Sequence, residues 1–340
     1  MTGNPTLVEV TRGRIVESVH RGALAVVDAG GAVQFSVGDI ETPVFPRSAI
    51  KAFQAIPLVE SGAADAYGFS DRELALACAS HSGEPRHLEV AAAMLAAAGR
   101  DETALECGAH WPRRAEDIAA MGREGRLPAQ LHNNCSGKHA GFVCLSCHAG
   151  HDHRGYVDPD HPVQRRVASV LAEMTGARVD ETVRGIDGCS APNWALPLRA
   201  LAHGFARFAT GEGLSSDRAA AAGRLRAACA AEPWMVAGTG RFCTIVMEAL
   251  GERAFVKVGA EGIYCGAFPE VGLGFAIKCD DGAARAAEVV AASLIARFVR
   301  LKDSEQQLVS GLVQPVLENW RGTAVGRLRP GIMLRGRLGI

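Results

Sequence analysis

The fold is decided near the amino terminus, where residues 23–37 read Ala23-Leu-Ala-Val-Val-Asp-Ala-Gly-Gly-Ala-Val-Gln-Phe-Ser-Val37. The two apolar runs have the length of strands, and the glycine pair between them is typical of a hairpin turn. Two further strand-like runs precede this hairpin, at residues 7–10 and 14–19. The chain is therefore predicted to open as an antiparallel sheet.

The pattern becomes helical from Ser48 onward. Glu84-Pro85 is typical of a helix start, and this helix is predicted to end at Gly99. The other predicted helices are one with a capping box formed by Ser70 and Glu73, a periodic segment at 163–176 and an alanine-rich segment at 219–231. The middle of the chain, about residues 48–235, is therefore predicted to be mostly helical.

Strand patterns return after Gly240. Four runs separated by glycine-containing turns, at 242–250, 254–258, 263–268 and 272–278, precede an amphipathic helix at 283–301. The sequence predicts an α/β (α+β) protein whose antiparallel sheet takes strands from both chain ends around a central helical region. No repeat or linker divides the chain, so residues 1–340 are predicted to form a single domain.

Composition excludes several functions. The 36 basic and 37 acidic side chains are interspersed, which gives no basic stripe for nucleic acid. The amino terminus does not resemble an export signal, and no apolar run is long enough to cross a membrane. We expect an intracellular, cytoplasmic protein whose ten cysteines are reduced.

Lys51 is the only charged residue inside the apolar stretch that runs from Ala49 to Val59. A helix that is apolar on nearly every face is buried, and burial disfavours the ammonium form of lysine, so Lys51 could act as a base. Ser48 lies three residues earlier, a spacing that places both side chains on one helix face. The pair forms a Ser-x-x-Lys nucleophile and base, although the pattern also occurs by chance in core helices whose lysine extends to solvent.

Two other segments contain groups of the same kind. Ser80-His81-Ser82-Gly83-Glu84-Pro85 gathers polar side chains just before a helix, where Ser80 could serve as a second hydroxyl group and Ser82 could simply cap the helix. Lys257 ends a late strand beside a glycine, which would allow close approach of a substrate.

The densest polar cluster runs from His132 to His139. Cys135 and Lys138 are three residues apart, and the Gly-rich turn after Asp187 supplies Cys189. Two thiolates suit zinc, but a lysine is an unusual ligand because its amine must lose a proton. The spacing alone therefore leaves core packing as the alternative.

Five motifs together resemble a known family. They are Arg47-Ser-Ala-Ile-Lys51, Ser80-His-Ser-Gly-Glu84, Asn133-Asn-Cys-Ser-Gly-Lys-His139, Asp187-Gly-Cys-Ser-Ala-Pro192 and Lys257-Val-Gly-Ala-Glu-Gly262. Their order resembles that of the rhizobial-type (class 3) L-asparaginases, in the asparaginase II family. The resemblance implies a fold like that of serine β-lactamases and glutaminases, and a homodimer.

The resemblance also implies roles for individual residues. It implies two Ser-Lys tandems, Ser48 with Lys51 and Ser80 with Lys257, in a pocket that hydrolyses the side-chain amide of L-asparagine. Further implied roles are substrate binding by Arg47, His139 and Asp187, and zinc ligation by Cys135, Lys138 and Cys189, the zinc supporting substrate binding more than chemistry. Two alternatives remain: another Ser-Lys hydrolase of this fold, acting on glutamine, β-lactams or peptides, and a zinc-binding sensor or scaffold without turnover.

Overall fold

A computed structural model describes residues 3–339. The strands are β1 Thr6–Arg12, β2 Ile15–Asp28, β3 Val33–Val37, β4 Arg184–Ile186, β5 Pro192–Trp194, β6 Phe255–Val258, β7 Ile263–Phe268, β8 Leu273–Cys279, β9 Val316–Glu318 and β10 Ala324–Pro330. The helices are α1 Lys51–Glu60, α2 Ala63–Ala66, α3 Asp71–Ala77, α4 Pro85–Ala97, α5 Ala115–Arg123, α6 Ser136–His148, α7 Pro162–Thr175, α8 Leu198–Thr210, α9 Ser216–Ala231, α10 Pro233–Ala237, α11 Phe242–Leu250, α12 Ala284–Phe298, α13 Asp303–Val313 and α14 Ile332–Leu338.

The chain divides into two compact units, each made of segments distant in sequence. Of the described residues, the sheet unit contains 3–49, 196–212 and 253–339. The helical unit contains residues 50–195 and 213–252. None of the helices within residues 3–339 is long and apolar enough to cross a membrane.

One antiparallel sheet forms the core of the sheet unit. Its strand order is β6-β7-β8-β2-β1-β10-β9, and β3 pairs with β2 as well. Helices α8 and α12 both pack on this sheet. Residues 23–27 of β2 and all of β7 are buried without alternation, which indicates that both faces of the central strands are covered. The predicted sheet with strands from both chain ends is confirmed.

Strand β2 replaces two predicted strands. Its first half pairs with β1, and from Gly22 onward it pairs with β8. A β-carbon at Gly22 would overlap the Lys278 carbonyl oxygen, so the absence of a side chain allows close contact at the point where the partner changes. Gly22 thus lies inside one continuous strand that joins the two predicted runs.

The strand predicted at residues 242–250 is wrong, because the segment is helix α11. Its buried side chains include Phe242, Val246, Met247 and Leu250, which recur at helical spacing. Apolar content alone made this segment resemble a strand.

Helix α1 occupies the centre of the helical unit and contacts α6, α7 and α9. All residues from Lys51 to Leu58 are buried, as the apolar sequence predicted. The capping box at Ser70 and Glu73 begins α3, and α4 begins at Pro85 as predicted. These local sequence signals determine where helices α3 and α4 begin.

Candidate active site

Lys51 lies at the first turn of α1, with a side chain only 1% exposed. Its Nζ atom donates to the carbonyl oxygens of Ala79, at 2.6 Å, and Asn134, at 3.1 Å, and lies 3.0 Å from Ser80 Oγ. A protonated lysine can donate to all three. A neutral amine would donate to the two carbonyls and accept the Ser80 hydroxyl proton, so the geometry accommodates either end of a proton transfer.

The segment that carries Ser80 is held by backbone contacts. Ser80 N donates to the Val236 carbonyl at 2.9 Å, and Ser82 Oγ donates to the Ala237 carbonyl at the same distance. Gly238 follows with a φ of 110°, and a β-carbon there would collide with Ser82 and Glu84. Residues 80–84 therefore pack closely against residues 236–238, and this contact fixes the Ser80 hydroxyl beside Lys51.

His81 joins this segment to helix α6. Its Nδ1 accepts the Gly83 N–H, so Nε2 carries the proton and donates to Ser136 Oγ at 2.9 Å. The ring stacks on His87, which in turn stacks on Trp234. Burial lowers the pKa of His81 well below its ordinary value, so the ring is neutral at pH 7.

Cys135, Lys138 and Cys189 lie close together in the helical unit. All three side chains are buried, and Lys138 Nζ donates to Cys189 Sγ at 3.1 Å. The hydrogen bond from the Cys135 thiol lowers the pKa of Cys189 despite burial, with help from the Lys138 charge. The same hydrogen bond, with burial, raises the pKa of Cys135. Cys189 thus favours the charged form of Lys138, and Lys138 favours that of Cys189.

Asn133 and Asn134 position this cluster next to Lys51. The Asn133 side chain donates to the carbonyl oxygens of Cys107 and Gly108 and accepts the Cys135 N–H. Asn134 uses its backbone carbonyl for Lys51, and its side-chain oxygen lies 3.2 Å from the Cys135 sulfur. One residue therefore contacts both groups of candidate side chains.

His139 lies on α6 directly after Lys138. Its Nδ1 is 2.6 Å from the Tyr156 hydroxyl, which also accepts the Glu106 N–H at 2.8 Å. Burial and the neighbouring Lys138 charge lower the pKa of His139 to about 4, and Cys189 partly offsets them. The ring is neutral at pH 7.

Asp187 is half-buried in the turn before Cys189, and its charge acts on Lys138. The turn contains Ser190 at a φ of 69°, a conformation that is uncommon for a residue other than glycine. Ser190 directly follows the candidate ligand Cys189, and strained backbone of this kind is often found in functional sites.

The sheet unit contains the remaining candidates. Arg47 and Ser48 are half-buried in a 3₁₀ turn, Arg47–Ile50, and Arg47 has a φ of 50°. Lys257 is fully buried in β6, where its Nζ donates to the Val258 carbonyl at 3.0 Å. The pairs Ser48 with Lys51 and Ser80 with Lys257 each combine residues of both units, and they stay predictions.

Sequence reasoning missed three contributors: the Asn134 carbonyl, His81 as a link to Ser136, and Tyr156. Tyr156 ends a polar loop, residues 149–156, that follows α6 and contains His151 and His153. His148 and His151 are exposed, but Tyr156 is fully buried. A large aromatic residue at the end of a polar loop was the available signal.

The zinc prediction can be compared with the donor atoms present. Within residues 3–339, no group of three His, Cys, Asp or Glu side chains is arranged to hold a metal ion. A zinc site would therefore need the Lys138 amine with the two sulfurs. The sulfurs suit zinc, the pKa of Cys189 is lowered by Cys135 and Lys138, and Lys138 would have to lose its proton. The three side chains therefore fit a zinc ion, provided that Lys138 is deprotonated.

Comparison with known proteins gives a family and some distant structural similarities. A sequence search found no matching curated protein. A β-lactamase from Mycobacterium bovis is similar at 13% identity and a TM-score of 0.41, over 82% of this chain and 95% of that one. The native form of Mglu is similar at 14% identity and a TM-score of 0.45, over 88% and 69% of the two chains. Residues 8–330 match the family described as L-asparaginase II, so the chain belongs to the L-asparaginase II family, a family of amidohydrolases.

Proposed function

We propose that this protein hydrolyses the side-chain amide of L-asparagine to L-aspartate and ammonia. The observation that carries the proposal, beside the family, is the buried Lys51 amine held 3.0 Å from the Ser80 hydroxyl. A lysine fixed against a serine in a buried site is the arrangement that proton transfer to or from a hydroxyl nucleophile requires.

Ser48 is the proposed nucleophile and Lys51 the proposed base. Ser48 Oγ would form a bond to the amide carbon while its proton passes to the neutral Lys51 amine. The carbon–nitrogen bond then breaks, and the leaving nitrogen takes a proton and departs as ammonia. Water attacks the resulting ester, releasing aspartate and restoring the Ser48 hydroxyl.

Ser80 and Lys257 are proposed to relay protons. Ser80 is suited to this role because its hydroxyl lies next to the Lys51 amine and can accept or donate a proton there. Lys257 is the predicted partner of Ser80, by the resemblance of its Lys-x-Gly motif.

The substrate's charged groups need fixed partners. We assign the ammonium group to Asp187 and the carboxylate to Arg47 and His139, because opposite charges and N–H donors form the strongest such contacts. We also propose that Cys135, Lys138 and Cys189 hold zinc, which when bound would help orient the substrate. A homodimer and a cytoplasmic location are proposed on the resemblance and on the sequence, respectively.

Purified protein should be assayed for ammonia release from L-asparagine and L-glutamine, and for cleavage of a chromogenic β-lactam. We expect turnover of asparagine at a higher kcat/KM than glutamine, and loss of that turnover in Ser48→Ala. Turnover of the β-lactam or of glutamine alone would support another Ser-Lys hydrolase of this fold. No turnover of any of them, with zinc bound, would support the sensor or scaffold.

A further inference from the structure

The turn that carries Ser48 has an unusual backbone. Arg47, the residue before Ser48, has a φ of 50°, in the left-handed region that residues other than glycine seldom occupy. The Ala49 N–H closes the turn by donating to the Pro46 carbonyl at 3.0 Å. Strained residues of this kind persist only where the surrounding structure fixes the backbone. The turn of the proposed nucleophile therefore needs contacts that hold it.

The Pro46 carbonyl controls the strain at Arg47. Its oxygen belongs to the planar peptide group between these two residues, and a flip of such a group changes ψ of the residue before it and φ of the residue after it together. A flip here would give Arg47 a negative φ and relieve the strain. It would also turn the oxygen away from the Ala49 N–H. The orientation of one carbonyl thus decides the conformation of the turn.

Gly259, in the turn after strand β6, packs on that carbonyl. A β-carbon at Gly259 would lie 2.8 Å from the Pro46 oxygen and 2.4 Å from Cγ2 of Ile263. The Gly259 backbone is fixed in this place, since its N–H donates to the Ile263 carbonyl at 2.9 Å. All three residues belong to the sheet unit. The sequence suggested that this glycine lets a substrate approach, whereas it is the Pro46 carbonyl that approaches it.

We propose that Gly259 is a positioning residue for the turn that carries Ser48: its missing side chain lets the turn after β6 pack on the Pro46 carbonyl. This contact keeps Arg47 and Ser48 in the conformation that catalysis uses. The inference rests on the proposed role of Ser48 as nucleophile. It gives the Lys-x-Gly motif a second task beside that of Lys257. A methyl group at position 259 would push the Pro46 oxygen away and favour the flipped peptide group.

The test is Gly259→Ala, with hydrogen exchange of the Ala49 amide as the local readout. A flip of the Pro46 carbonyl removes the acceptor of this amide, so we expect its exchange to be about 10-fold faster or more. Labelling of Ser48 by phenylmethanesulfonyl fluoride, followed by mass spectrometry, should slow by about 10²-fold, the effect of displacing a reacting group by about 1 Å. The kcat/KM for L-asparagine should fall by a similar factor, measured well below the melting temperature.

Gly331→Ala is the matched control. A β-carbon at Gly331 would lie 2.7 Å from the Thr6 carbonyl oxygen, which is also a backbone oxygen of the sheet unit. Neither glycine has a φ in the left-handed region. Overpacking against a carbonyl should lower the urea midpoint of both variants. Gly331→Ala should nevertheless keep the wild-type Ala49 exchange, Ser48 labelling and kcat/KM.

Ile263→Leu separates the two contacts of the added methyl group. Leucine is not branched at its β-carbon, so Gly259→Ala in an Ile263→Leu background meets the Pro46 oxygen without meeting Cγ2. We expect this double variant to show the fast Ala49 exchange and the low activity when it is compared with Ile263→Leu. The same comparison replaces the first one if Gly259→Ala alone does not fold.

Wild-type exchange of the Ala49 amide in Gly259→Ala, or slow exchange restored in the double variant, would overturn the proposal whether or not the protein hydrolyses asparagine. Equal losses of activity in Gly259→Ala and Gly331→Ala would reduce Gly259 to a packing residue. A wild type that neither turns over asparagine nor is labelled at Ser48 would refute the proposed function instead. The amide exchange would then still decide whether Gly259 holds the turn.

Discussion

Replacement of Ser80 by alanine separates its contact with Lys51 from its place in the fold. The substitution removes one buried hydroxyl 3.0 Å from Lys51 Nζ, while Lys51 keeps the Ala79 and Asn134 carbonyls. The Ser80 backbone N–H also keeps its bond to Val236. With the neutral Lys51 amine that the mechanism requires, this hydrogen bond joins two neutral groups and contributes about 0.5–1.5 kcal/mol, so the free energy of unfolding should fall by about that amount.

Catalysis should suffer more than stability. Positioned acid–base groups contribute about 10²–10⁴-fold to rate. If Ser80 relays the Lys51 proton, its loss should lower kcat for asparagine by about 10²-fold or more, a barrier increase of about 3 kcal/mol. Ammonia release is measured well below the melting temperature of the variant, which is determined in parallel by thermal unfolding.

Ser82→Ala is the matched control. Ser82 lies two residues further along the same segment, is also buried, and donates to the Ala237 carbonyl at 2.9 Å. Its replacement should lower stability by a similar amount and leave kcat near the wild-type value. Equal losses of kcat in the two variants would mean that Ser80 only supports the segment, and the relay would be refuted.

Four other perturbations test separate parts of the account. Ser48→Ala and Lys51→Ala should each lower kcat by about 10³-fold or more, and the double variant should be scarcely worse, because a nucleophile and its base act as a unit; activity above about a tenth of wild type in Ser48→Ala would exclude it as nucleophile. Burial lowers the pKa of His87 to about 4, so between pH 6.5 and 4 the unfolded chain binds a proton that the folded protein does not. The free energy of unfolding should therefore fall by about 3 kcal/mol over this range. Urea titrations of the wild type should show this fall, and His87→Gln should show a flatter pH dependence. Cys189→Ser should lower zinc content and raise KM more than it lowers kcat; unchanged metal content and kinetics would reduce the cysteine to packing. Gly137→Ala would bring a β-carbon closer than 3.0 Å to the Leu76 carbonyl, so the free energy of unfolding measured in urea should fall by about 1–3 kcal/mol. An unchanged midpoint would show that α3 and α6 can move apart to make room for the methyl group.

Local signals in the sequence predicted local structure well. The Ser70 capping box, Pro85 at a helix start and Gly176 at a helix end each act within one turn, and each lies where it was predicted. The two errors, the division of β2 into separate strands and the strand predicted at residues 242–250, have a different origin. Whether a glycine ends a strand or lets two strands approach depends on the partner strand, which no short pattern contains.

The candidate site shows the same division. Cys135 and Lys138 share a helix turn, so their spacing in the sequence is enough to indicate a common face. Contacts between distant segments were not predictable in this way: Lys51 and Asn134 are separated by 83 positions, and their bond uses a backbone carbonyl that every residue type possesses. The resemblance of the motifs indicated that the segments with Lys51 and Asn134 belong to one site. Only the packed structure shows which donor contacts which acceptor.

The shared residue Asn134 determines how experiments on the cysteines must be interpreted. Its side-chain oxygen lies 3.2 Å from the Cys135 sulfur, and its backbone carbonyl accepts from Lys51. A substitution that moves Cys135 can therefore displace one of the three acceptors around the Lys51 amine and lower kcat without any metal being involved. Cys189 contacts Lys138 and lies in the turn after Asp187, on a separate segment of the chain. For this reason a kinetic effect of Cys189→Ser reports on the proposed zinc more directly than the same effect in Cys135→Ser, and a loss of kcat confined to Cys135 variants would point to Lys51 rather than to zinc.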